Sequence, residues 1–130
     1  MKYLLDTHTF LWALQDSSFI TNDIKNIIID EHNDIYISTI SLWEISVKSR
    51  KHHSIFPYDV KQLINYAIQA GYIFLSLSID NIICFNNFDF GTHKDPFDQM
   101  LISQSISSNI KIITHDEAIH KIIPQNTVFF

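Results

Sequence analysis

The chain has 130 residues and a formal net charge of −5 with histidine neutral; 46% of its residues are hydrophobic and 18% charged, with two Gly, three Pro and a single Cys. That composition excludes disordered, collagenous and linker-rich classes and points to one domain over residues 1–130 with a single core. A pI near 5.7 excludes a simple basic nucleic-acid-binding domain, and the lone Cys84, with no signal-like apolar run at the start, favours a reducing cytoplasm.

A short apolar run over 3–5 stops at Asp6 and is followed by Phe10, Leu11 and Leu14 at helical spacing, so a strand and then a helix are expected. A second helix starts near Thr21 on Ile24, Ile27 and Ile28, and a strand over 35–37 ends at Ser38 and Thr39. A helix over 41–51 comes next, Pro57 interrupts, and 59–70 is helical with Leu63, Ile64, Ala67 and Ile68 on one side until Gly71 ends it. A strand over 73–77 and a helix over 79–85 follow, then a loop over 86–94. Asp95-Pro96 opens a helix to about Ser107, a strand covers 110–113, a short helix 116–123, and a last strand 127–129. The uncharged stretch 62–79 is broken by Asn65, Gln69, Gly71, Ser76 and Ser78, so no membrane span is expected. Strands and helices alternate and the strands are apolar on both faces. The expected fold is therefore α/β, a three-layer α/β/α arrangement around a mostly parallel sheet of about five strands.

Eleven of the fourteen acids are Asp, a residue that favours caps, turns, metals and catalysis. Taken singly each has a structural explanation. Asp6, Asp95 and Asp116 can cap helices, Ser41-Leu42-Trp43-Glu44 fits a capping box, and Asp98 suits the start of a helix dipole. In a parallel sheet, however, strand C-termini and helix N-termini meet at one edge, where ligands bind, and Asp6, Glu44, Asp98 and Asp116 all fall there. Carboxylates crowded in a cleft repel unless a divalent cation neutralises them, and all-oxygen donors suit Mg²⁺ or Mn²⁺. The chemistry that follows is metal-assisted hydrolysis of a phosphate ester, with water as nucleophile.

Four blocks carry a resemblance: 4–12 (LLDTHTFLW), 40–45 (ISLWEI), 93–102 (HKDPFDQMLI) and 113–116 (ITHD). In their order, and over essentially the whole chain, they resemble the signature blocks of PIN-domain proteins, specifically VapC-type toxins of bacterial toxin–antitoxin pairs. The resemblance implies metal-binding catalytic roles for Asp6, Glu44, Asp98 and Asp116, and a Mg²⁺-dependent endoribonuclease that leaves a 5′-phosphate and a 3′-hydroxyl. It also implies a homodimer, a cognate antitoxin protein, and contact with operator DNA only through that antitoxin. Asp95 matches an acid frequent in the subfamily, while Gln99 stands where many relatives carry Arg. Thr7 and Thr114 are candidates for fixing waters or carboxylates around the metal.

Lys48, Arg50 and Lys51, with His52 and His53, form the one basic strip, read either as an i, i+4 pair with Glu44 and a favourable helix end or as RNA-phosphate contacts. His8, His93 and His115 match no zinc spacing. Trp12, Trp43, Phe10, Phe19 and Phe56 read as core or interface before they read as base-stacking platforms. A haloacid-dehalogenase-type phosphatase wants an acid where His8 stands, and a phosphorelay receiver wants paired acids beside Asp6. A catalytically idle binding module is the remaining alternative.

Overall fold

The computed structural model describes residues 1–54 and 56–130. Its elements are β1 (Lys2–Leu5), α1 (Thr7–Leu14), α2 (Asn22–Ile29), β2 (Asp34–Ser38), α3 (Thr39–Lys51), α4 (Val60–Gln69), β3 (Ile73–Leu75), α5 (Ile79–Asn87), α6 (Pro96–Ser108), β4 (Lys111–Thr114), α7 (Glu117–Ile122) and β5 (Thr127–Phe129). The five strands form one sheet in the order β3-β2-β1-β4-β5, and all four pairings are parallel.

Alternation along each strand makes the three layers. Tyr3, Leu5, Ile35, Ile37 and Ile113 point to one face and pack with Phe10 and Leu11 of α1, Ile24 of α2, Ile45 of α3 and Leu63 and Ala67 of α4. Leu4 and Ile112 point to the other face, against Leu101 and Ile102 of α6 and Ile119 of α7, with Phe85 of α5 at the margin. The inner strands β1, β2 and β4 are thus covered on both sides, which is why their runs are apolar throughout rather than alternating.

The chain leaves β1 for β2 and β3 on one side, then crosses back to β4 and β5 on the other. The reversal of direction lies between β1 and β4, the kind of position where parallel sheets leave a crevice at their C-terminal edge. Asp6 follows β1 directly and Asp116 follows β4 after one residue.

The capping box expected at Ser41 does not form. Helix α3 begins two residues earlier, because the buried Ser38 hydroxyl accepts the Ile40 N–H at 3.0 Å and takes the cap. Ser41 and Glu44 therefore sit inside the helix, both buried, facing α1 rather than the helix's own end. The strand expected over 73–77 stops at Leu75, since Ser78 and Asn81 form a reciprocal capping box that turns the chain into α5.

Candidate active site

Each acid reaches the crevice through local geometry that its sequence neighbours dictate. Asp6 caps α1, Oδ1 accepting the Thr9 N–H at 2.8 Å, while Thr114 at the end of β4 donates to Oδ2 at 2.5 Å. Asp95 caps α6, accepting from Phe97 N at 2.9 Å and Asp98 N at 3.1 Å, with Pro96 at the first helical position. Asp98 follows in the first turn of α6, and Asp116 caps α7 by accepting from Ala118 N at 2.8 Å. Glu44 projects from the second turn of α3, where Thr7 donates to its Oε1 at 2.6 Å and Lys48, one turn later, pairs with its Oε2. The capping explanations for Asp6, Asp95 and Asp116 are correct, and they are also the means by which the carboxylates are aimed.

Together Asp6, Thr7, His8, Glu44, Lys48, Asp95, Asp98 and Asp116 line one cavity of about 110 Å³. Its electrostatics are those of overcrowded anions. Burial, followed by the Asp95 charge and with smaller contributions from Glu44 and Asp116, holds the Asp98 carboxyl up to about 7, against the pull of a 3.0 Å contact with His93 Nε2. Burial also raises Asp6 above the usual carboxylate range, opposed by the hydrogen bonds from Thr114 and the Thr9 backbone. Asp6 and Glu44 are only 5% and 3% exposed, so neither can relieve the crowding by turning into water. Some relief comes from within, through Lys48 on Glu44 and His93 on Asp98.

The family model of the PIN domain matches residues 3–123. The chain belongs to the PIN-domain family. PIN domains are generally nucleases, and the acids of this PIN domain stand where its sheet reverses direction. Among solved structures its fold is similar to that of VapBC2 from Rickettsia felis bound to a DNA fragment from their promoter, with TM-score 0.73, 16% identity, and coverage of 100% of this chain and 99% of that one. It is also similar to DNA-bound VapBC from Salmonella typhimurium (TM-score 0.72, 18% identity, 99% and 98% covered) and to VapBC-1 from nontypeable Haemophilus influenzae (0.65, 17%, 99% and 98%). At these identities the likeness is one of fold. No curated protein matches the sequence.

Among the described residues of the PIN domain, no three His, Cys, Asp or Glu side chains are drawn together closely enough to hold an ion as they stand. The donor set nonetheless fits a hard divalent cation. Asp98 Oδ1 and the Oδ2 atoms of Asp95 and Asp116 carry no protein hydrogen bond among the described residues, and the group crowded enough to lift Asp98 is all carboxylate.

The remaining sequence candidates divide. Thr7 and Thr114 do orient carboxylates, of Glu44 and Asp6 respectively. Lys48 is committed to Glu44, whereas Arg50 lines a separate cavity with His53, Tyr58 and Asp59, and Lys51 is exposed at the end of α3. Sequence reasoning missed Ser41 as a neighbour of Thr7, at 3.0 Å, and missed His93 as the partner of Asp98. Gln99 touches no carboxylate; it donates to the His93 carbonyl at 2.7 Å and so holds the loop that presents that histidine.

Proposed function

We propose that this PIN domain is a cytoplasmic, divalent-metal-dependent endoribonuclease and the toxin of a toxin–antitoxin pair. The observation that carries the reading is the convergence of Asp6, Glu44, Asp95, Asp98 and Asp116 on one cavity at the reversal point of the sheet. Asp6, Glu44, Asp98 and Asp116 are the residues that would hold Mg²⁺ or Mn²⁺, which supplies charge neutralisation and Lewis-acid activation of water for in-line attack on phosphorus. The chain's own part is preorganisation. Thr114 and the α1 cap fix Asp6, Thr7 and Lys48 fix Glu44, and His93 holds Asp98. Asp98 must be ionised to serve, and with its carboxyl lifted to about 7 a bound cation would take the place of its proton. Water as nucleophile leaves a 5′-phosphate and a 3′-hydroxyl.

The partner reading rests on the VapBC complexes among the similar folds and on a second, apolar cavity of about 230 Å³ between α1 and α2, lined by Trp12, Ala13, Ile20, Ile28, Ile29 and Tyr72 among others. A helical antitoxin segment fits that groove, and an Arg or Lys reaching the carboxylates completes the inhibition. Operator DNA is bound through the antitoxin, as the acidic charge of this chain requires. Exposed Ile79, Ile82 and Ile83 on α5 supply an apolar face for a homodimer, and Arg50 and Lys51 are the phosphate contacts proposed for RNA.

The test is to incubate the pure chain with a mixed RNA pool, with and without Mg²⁺, and map the ends. Metal-dependent cleavage with 5′-phosphate ends is the expected result, and intact RNA at every Mg²⁺ concentration overturns the nuclease reading. Co-expression with the neighbouring reading frame tests the toxin assignment separately, through co-purification and restored growth.

A further inference from the structure

Beside the carboxylate cavity lies another of about 220 Å³, lined by Asp6, His8, Trp12, His115 and Asp116. Three of these residues, Asp6, His8 and Asp116, line both. A group seated in the second cavity therefore has its edge beside the carboxylates of the first.

The walls are aromatic. His8 and His115 stand 5.8 and 5.7 Å from the Trp12 ring centre, inclined to it at 44° and 68°. Each wall is braced from behind. Phe19 packs on Trp12 at 5.0 Å, and His115 is held by Phe130 at 5.0 Å and by Phe129, nearly parallel to it at 17°. The His115 ring nitrogen Nδ1 is fixed to the Phe130 carbonyl, which sets the plane of the ring. The rim meets the carboxylates of Asp6 and Asp116, the groups proposed above to hold the cation. Flat π surfaces beside such a group match a flat heterocycle joined to a phosphate, as every nucleotide is.

We propose that this cavity is the subsite for the nucleobase adjoining the scissile phosphate, with Trp12 and His115 as the stacking residues. The proposal rests on the nuclease reading above. It also assigns Trp12 a second surface, because the residue divides this cavity from the apolar groove on α1 and α2.

The experiment uses the full chain carrying Trp43→Phe, which leaves Trp12 as the sole tryptophan; Trp43 is exposed, packs on Phe97 and lines neither cavity. In Mg²⁺, adenosine and uridine 5′-monophosphates are titrated against Trp12 fluorescence, with ribose 5-phosphate as the control that presents the same phosphate and metal without a base. Saturable quenching by the nucleotides alone is expected, and His115→Ala should weaken it about 5- to 150-fold, the range found for removing one base–aromatic stack. Equal responses to ribose 5-phosphate, or an unchanged midpoint in His115→Ala with native circular dichroism, overturn the proposal. In chains that cleave the RNA pool, Trp12→Leu should raise KM for a single-stranded oligonucleotide; cleavage with no base-dependent quenching removes the subsite and leaves the nuclease reading intact.

Discussion

Two polar regions lie buried in this small domain, and they are built on opposite plans. At the β2 end, Ser38 donates to Gln104 Oε1 at 2.6 Å, Gln104 reaches Asn81 Oδ1, Asn81 donates to Ser107 at 2.7 Å, and Ser107 donates to the Ser103 carbonyl at 2.8 Å. Every member is neutral, and among the described residues none is left without a partner. At the β1 end the groups are charged, several carboxylate oxygens have no protein partner, and the only buried side-chain polar atom without one among the described residues, Thr9 Oγ1, belongs to the residue whose backbone N–H is capped by Asp6. A neutral network that closes on itself ties β2, α5 and α6 together; a charged cluster that stays open is poised for something from outside. The difference separates a structural polar region from a functional one more clearly than burial does.

The contrast can be broken first at Asp98. Asp98→Asn keeps the size of the side chain and removes its charge, so RNA cleavage should fall by about a hundredfold or more while the metal-free protein stays folded and melts no lower than wild type. A variant that folds and cleaves at the wild-type rate would refute the role. The reverse pattern is expected at Gln104→Leu, which leaves the buried Ser38 hydroxyl without its acceptor: about 1–3 kcal/mol of stability lost, or roughly 5–10 °C in Tm, with kcat unchanged. Calorimetry and a single-turnover assay on the same preparations separate the two patterns.

Next comes the response to cation. Mg²⁺ at ten times its Kd should stabilise the wild type by about 1.4 kcal/mol, a few degrees in Tm, and the Asp98→Asn variant by much less. Equal shifts in both proteins place the ion elsewhere. The smallest effect is in pH. An acid whose folded pKa is raised holds its proton more tightly in the native state, so its contribution is complete below the unfolded value of 3.8 and disappears as pH rises toward about 7. In EDTA the wild type should therefore lose Tm between pH 4 and 7 relative to Asp98→Asn, by a few degrees; a constant difference across that range contradicts the crowding of Asp98.

The strands were legible because a sheet buried on both faces leaves uninterrupted apolar runs such as 3–5 and 35–37. The acids were legible because strand ends and helix starts share one edge of such a sheet. What the sequence hid was pairing between elements. Nothing local distinguishes Ser41, which matches a cap, from Ser38, which is one, because the choice depends on Gln104, 66 residues away, holding the Ser38 hydroxyl in place. His93 reaches Asp98 only because the loop after Gly91 folds back and Gln99 secures it. Trp12 reads from the sequence as core or interface; in the structure it is half-buried and shared between two cavities.

The hydrogen bond from Thr114 to Asp6 spans 108 residues, nearly the length of the chain. Because β1 is the centre of the sheet and β4 its neighbour, Asp6 gains its Thr114 partner only after the residues up to β4 have left the ribosome. Synthesis itself therefore imposes a delay. Nascent chains and C-terminal truncations ending before β4 carry Asp6, Glu44 and Asp98 without the strand that sets Asp6, and a sheet closed by such distant contacts folds slowly compared with one zipped from neighbours. The cavity therefore takes its observed form only after β4 has docked on β1, late in the assembly of the sheet.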